Sequence, residues 1–149
     1  MKIAIRNCQR SLPISHKDIR RAVNFVLARQ RIYKDGEITV CFISNNKIQA
    51  INQRFSGINK PTDVLAFDLG VLRSGKKEAF ADIFISTETA QSNSRIFNTS
   101  IKFELYLYIV HGLLHLFGFD DHTRAGRRKM DAESKRILAA LEIYAPTKS

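Results

Sequence analysis

The run His111-Gly112-Leu113-Leu114-His115-Leu116-Phe117-Gly118-Phe119-Asp120-Asp121-His122 concentrates ligand chemistry, because it holds three of the chain's four histidines. His111 and His115 stand at i and i+4, so a helix would carry both imidazoles on one face, about one turn apart. Two such nitrogens can bind one Zn²⁺, as in His-Glu-x-x-His enzymes. Gly118 then turns the chain, and the loop beyond it can return a third ligand. Three protein ligands plus water make a catalytic zinc site, whereas a structural zinc is usually closed by four. A lone histidine on an apolar helix is best read as a core residue satisfied by a hydrogen bond. A pair at this spacing, with a glycine turn and a third histidine beyond, points instead to a metal: one Zn²⁺ per chain. In His-Glu-x-x-His enzymes the residue after the first histidine is the general base. Here it is Gly112, so a peptidase would need its base elsewhere.

The element that must present this pair is a long helix capped by Thr99 or Ser100 and running to about Phe117. It is nearly all apolar from Leu105 onward, which marks a buried helix. The apolar stretch Leu105 to Phe119 is shorter than the roughly 18 residues of a membrane helix. Gly118 ends it, as glycine often does after a helix. Upstream, residues 2–6 alternate like a half-buried strand. A helix over about 16–31 follows, capped by Ser15, with Ile19, Ala22, Val23, Val26 and Leu27 at helical spacing. Glu37 to Ser44 is β-branched and reads as a second strand. Asn45 or Asn46 would cap a short helix to about Phe55, and 56–63 is a loop by composition. Val64 to Leu69 and Ala79 to Ser86 read as strands, with 70–78 a mobile, exposed connection between them. A polar helix spans about 87–97, and a charged amphipathic helix about 124–143. The last residues, near Pro146, read as a frayed end. We expect an α+β fold: a mixed sheet of about four strands with helices packed on it, and a central buried helix carrying the metal ligands.

Length and charge narrow the partners. The 149 residues fit one domain, 1–149. With 44% hydrophobic and 26% charged residues, disorder and low complexity are excluded for most of the chain. Lys plus Arg is 24 against 14 for Asp plus Glu, a net charge of +10. Such a basic domain attracts phosphate polyanions. Cys8 and Cys41 form no disulfide framework and read as reduced core residues. Met1 to Arg10 has no apolar run of the signal-peptide kind. A cytoplasmic location, with no membrane partner, is expected.

Residues 111–120 match, position by position, the signature His-Gly-x-Leu-His-Leu-x-Gly-(Tyr/Phe)-Asp. Lys60-Pro61-Thr62-Asp63-Val64-Leu65-Ala66-Phe67 and Ala81-Asp82-Ile83-Phe84-Ile85-Ser86 add two further blocks in the same order. On these the chain resembles the YbeY family of single-metal endoribonucleases that act in ribosomal RNA maturation. Three departures stand out. Asp120-Asp121-His122 replaces the usual Asp-His, so the third ligand is either His122, with the loop absorbing a residue, or Asp121. Ligand preference favours His122. Ser56 stands where the family usually has an arginine, thought to serve phosphate binding or catalysis. Ala66 and Ala81 replace serine and glycine, small for small.

The resemblance and the residues together imply a zinc-dependent endoribonuclease specific for single strands, acting in rRNA maturation and ribosome quality control. Zinc would acidify a bound water or act as a Lewis acid on a phosphoryl oxygen. Asp120 and Asp63 are candidates for a base or for a partner orienting a histidine, although Asp63 equally suits a turn. Arg54, Lys60, Arg124, Arg127, Arg128 and Lys129 are candidates for the RNA backbone; for the last four, a solvated helix face is the plainer alternative. RNA, above all rRNA, and ribosomal proteins are the expected partners. Two rivals remain: a zinc hydrolase of another bond, and a non-catalytic assembly factor in which the metal only stabilises the fold.

Overall fold

The computed structural model describes residues 1–32, 35–73 and 75–145. The chain runs β1 (Lys2–Asn7), α1 (His16–Arg29), β2 (Gly36–Ile43), α2 (Asn45–Ser56), β3 (Val64–Asp68), β4 (Val71–Arg73), β5 (Lys76–Ser86), α3 (Thr87–Ile96), α4 (Ile101–Leu116) and α5 (Arg124–Ala140). The main sheet has the order β1-β2-β5-β3. β1 and β2 pair in parallel, as the helical crossover α1 requires. β2 and β5 are also parallel, and β3 runs antiparallel to β5. This is the mixed four-strand sheet with helices that the sequence predicts.

Segment 70–78 departs from expectation. Where the sequence reading has a plain connection, β4 pairs with the first residues of β5 as a hairpin, Val71 opposite Glu78 and Arg73 opposite Lys76. The turn between them includes Gly75 at φ +77°, a left-handed conformation that glycine adopts without a Cβ penalty. Charge and glycine content signalled exposure there, and exposure is compatible with a two-strand ribbon. The fraying expected near Pro146 falls outside the described residues.

Alternation along the strands sorts the two faces. Ile38, Val40 and Phe42 of β2 and Ile83 and Ile85 of β5 share one core cluster with Val23 and Val26 of α1, Ile109, Leu113 and Leu114 of α4, and Ile137 of α5. Cys41 and Ile43 project to the other face, where Ile48 of α2 covers them. Cys8, expected in the core, is exposed; only Cys41 is buried. The helix over 45–56 is capped not by Asn45 or Asn46 but by Ser44, whose hydroxyl accepts from the Lys47 N–H. The Ser15 cap of α1 is as expected.

α4 is the axis of the molecule. Ser100 caps it, and it packs against β3, β5, α1, α3 and α5. No helix among the described residues is long and apolar enough to cross a membrane.

Candidate metal centre

The last two turns of α4 leave the core at a solvent-facing end. Gly112, Leu113 and Leu114 are buried, His111 is half-buried and His115 is exposed. A Cβ on Gly112 would meet the Ile83 Cγ2 at 3.1 Å and the Val64 Cγ2 at 3.2 Å. Glycine is therefore what lets α4 close on β3 and β5, and it fixes which way the histidines face. The position that bears the glutamate of zinc peptidases points into the sheet, so a carboxylate there would be buried against methyl groups. This removes the peptidase's usual base on physical grounds.

His111 Nε2 is buried and has no hydrogen-bond partner among the described residues. Burial pushes the imidazole below its ordinary 6.5. Asp63 and Asp131 pull it back up, His115 adds to the depression, and Asp121 opposes it. A neutral ring with a buried, unpartnered nitrogen is able to ligate a metal, and leaving such a nitrogen unsatisfied costs about 1–3 kcal/mol.

The chain returns to the helix end through Phe117, Gly118 at φ +96°, and residues 119–123. Asp120 Oδ1 accepts the His122 backbone N–H at 2.7 Å, which folds the loop on itself. Thr123 caps α5 by accepting from the Gly126 N–H at 3.0 Å. A Cβ on Gly126 would collide with the Asp120 carbonyl oxygen, so this glycine seats α5 directly under the loop. Asp121 Oδ2 lies 3.6 Å from His115 Nε2. The His122 ring points elsewhere, with Nε2 3.7 Å from Asp120 Oδ1 and the side chain 88% exposed. Ligand atoms of Asp120, Asp121 and His122 all lie within 4.8 Å of one another. The donor set, two imidazoles and a loop of carboxylate and imidazole groups, suits zinc.

A family model described as Endoribonuclease YbeY matches residues 4–142. The chain belongs to the YbeY family. Its relatives include the endoribonuclease YbeY of Syntrophus aciditrophicus, 39% identical over 122 residues that cover 80% of this chain and 76% of that one. The Bacillus subtilis protein is 31% identical over 132 residues, covering 83% and 84%. The Geobacter sulfurreducens protein is 31% identical over 147 residues, covering 95% and 97%. A Thermotoga maritima protein, solved in solution, aligns over 99% of both chains with a TM-score of 0.61 at 23% identity. That last likeness concerns the fold.

Against the YbeY signature, the structure sorts the other candidates. Asp63 acts as a turn residue: its Oδ1 accepts from the Val64 N–H at 2.8 Å and the Thr62 hydroxyl at 3.2 Å. Its charge nonetheless reaches His111. Arg54 and Lys60 are both exposed, as is Ser56 at the end of α2. The Arg54 guanidinium lies over the Phe55 ring at 5.6 Å, and the Lys60 carbonyl accepts from Asn52 Nδ2 at 3.0 Å. Arg124, Arg128 and Lys129 are exposed on the first turns of α5. Arg127 differs from them, because its Nη1 donates to the Asp121 carbonyl at 3.2 Å. Asp131 and Gly126, both beyond the signature, escape a motif search. Glu104 and Tyr108 do so too, although their spacing of seven and three residues before His111 places them on the same helix face. Glu104 is buried, and burial, helped by the charge of Asp63, raises its pKa. The Tyr108 hydroxyl accepts from Asn93 Nδ2 at 2.9 Å, tying α4 to α3 beneath the histidines.

Proposed function

We propose that residues 1–149 form one metal-dependent hydrolase domain that cleaves single-stranded RNA internally, acting in the cytoplasm in rRNA maturation and ribosome quality control. The observation that carries this reading is the buried, unpartnered Nε2 of His111, one helical turn before His115, whose own Nε2 lies 3.6 Å from Asp121 Oδ2. His111 and His115 hold one Zn²⁺. For the third ligand, ligand type alone favours His122, but the geometry favours Asp121. Asp121 already faces His115 and its charge is felt at His111, whereas His122 is turned to Asp120. Two histidines and a carboxylate are an established catalytic zinc set. Zinc, when bound, supplies Lewis acidity toward a phosphoryl oxygen and acidifies a water.

The chain's own groups do the rest. Burial keeps the His111 ring neutral and able to ligate. Asp120 shapes the loop through the His122 N–H. Asp63 supports His111 electrostatically from the turn into β3. Arg127, anchored to the Asp121 carbonyl, takes the phosphate-binding part that the family gives to the arginine replaced by Ser56. Arg54, Lys60, Arg124 and Arg128 extend the basic surface for the RNA backbone, whose phosphates dominate affinity. rRNA and ribosomal proteins are the partners this reading implies.

The test is cleavage of a mixed-sequence single-stranded RNA before chelation, after chelation and after zinc add-back, with casein as a peptide-bond control. Metal-dependent RNA cleavage without casein digestion supports the proposal. RNA binding without cleavage in any metal state leaves the non-catalytic assembly factor. That second reading draws on the serine at position 56.

A further inference from the structure

Between α4 and α5 lies a groove of about 410 Å³ that has His111 in its lining. Its size is in the range of small-ligand sites, roughly 300–1,000 Å³. Phe103 and Leu138 give it apolar sides, and the exposed Tyr144 contributes a second ring. The Tyr144 hydroxyl is tied to the Ala139 carbonyl at 3.4 Å, which holds that ring at the groove.

The groove is not purely apolar. Ser134 lines it, is only 2% exposed, and its hydroxyl has no hydrogen-bond partner among the described residues. A helical serine usually finds the carbonyl one turn back or solvent. One buried without either costs free energy that a ligand's polar edge would recover. Asp131 and Lys135, both exposed, are the charged lining residues. A flat group with a polar edge, attached to an anionic strand, meets all of these features. Its faces would lie against the Phe103 and Tyr144 rings, its edge would meet Ser134 and Asp131, and the adjoining phosphate would meet Lys135.

We infer that this groove is a nucleobase subsite that takes one unpaired base of the RNA flanking the scissile phosphate. The inference rests on the RNA-cleaving reading above. It adds a sequence preference, because the Asp131 carboxylate accepts from an exocyclic amino group, which uracil lacks. Unpaired bases are what a protein can splay out and stack on aromatic side chains.

The experiment places 2-aminopurine at successive positions of a short single-stranded RNA and follows its fluorescence on binding to chelator-treated full-length protein. The cleavage position is mapped separately with zinc-loaded protein. The expected result is quenching at one position next to the mapped cleavage site. In Tyr144→Ala that quenching should be lost and the RNA bound about tenfold more weakly. Ser134→Ala, which breaks no hydrogen bond among the described residues, should also weaken binding while keeping the preference, set by Asp131, for an amino-bearing base over uracil. Position-specific quenching without cleavage would keep the subsite and remove the hydrolase reading. Cleavage without position-specific quenching, or with quenching unchanged in both variants, would overturn the subsite alone. No RNA binding at all would overturn both.

Discussion

Asp121 Oδ2 stands 3.6 Å from His115 Nε2, while the neighbouring His122 is turned out to Asp120. The relationship follows from how the loop is pinned. Asp120 captures the His122 N–H, Thr123 begins α5, and Gly126 seats that helix against the Asp120 carbonyl. These contacts leave Asp121 facing α4. On the reading proposed above, the one-residue difference from the common Asp-His pattern puts a carboxylate in the third-ligand position.

Gly112 should tolerate little. Alanine there must displace the Ile83 and Val64 methyls by a few tenths of an ångström. Overpacking of about 1–3 kcal/mol is offset by roughly 1 kcal/mol of helix propensity. A net loss of about 1 kcal/mol is expected in denaturant unfolding. Gly112→Glu should be far worse, because it buries an unpaired charge, and it should not produce casein digestion. A stable Gly112→Glu protein would contradict the packing described for α4.

Arg127→Ala should weaken single-stranded RNA binding and reduce the slope of log affinity against log salt by about 0.7, the value for one phosphate contact. Binding titrations at several salt concentrations read this directly. An unchanged slope would return Arg127 to a solvated helix face.

Acid should unfold the chelator-treated protein partly through His111. Its folded pKa lies below the ordinary 6.5 because burial disfavours the cation. The unfolded chain therefore binds more protons in this window. The contribution to stability is present above 6.5 and is lost as pH falls through the folded value. Melting temperature should decline with pH below about 6.5, and His111→Gln should flatten that part of the profile. An identical profile in the variant would contradict the burial argument.

Glu133 joins α5 to α1. Its Oε1 accepts from the Arg29 Nε at 2.9 Å and Nη2 at 2.8 Å, and its Oε2 from Gln30 at 3.1 Å. Burial pushes its carboxyl up, but the bonds from Arg29 and Gln30 outweigh this and hold it below its ordinary 4.5. Its contribution is present above 4.5 and lost as pH falls through the lower folded value. Glu133→Ala should cost about 1–2 kcal/mol, measured by denaturant unfolding at neutral pH. No loss would show that the α1–α5 link contributes nothing.

What could be read from the sequence follows from the range of each interaction. α4 was legible because a helix nearly all apolar from Leu105, with Thr99 or Ser100 as cap and Gly118 beyond its end, needs no tertiary context to declare itself. The histidine pair was legible because i, i+4 spacing on a helix fixes geometry locally. The β4–β5 hairpin was not, since strand pairing is non-local and charged residues there signalled only exposure. Ser44 was missed as a cap because two asparagines beside it are equally good cap types. The third ligand stayed open between Asp121 and His122 because loop direction is set by Gly126 and Thr123, outside the motif. Asp131 and Ser134 reach their neighbours only through the packing of α5 on α4.

The most direct test is the metal content of the freshly purified wild type, Asp121→Ala and His122→Ala proteins, each titrated with zinc and analysed for bound metal per chain. The account expects one metal per chain in the wild type and in His122→Ala, and its loss in Asp121→Ala. Retention in Asp121→Ala with loss in His122→Ala would contradict the assignment of the carboxylate. A wild type that takes up no metal would contradict the metal centre itself.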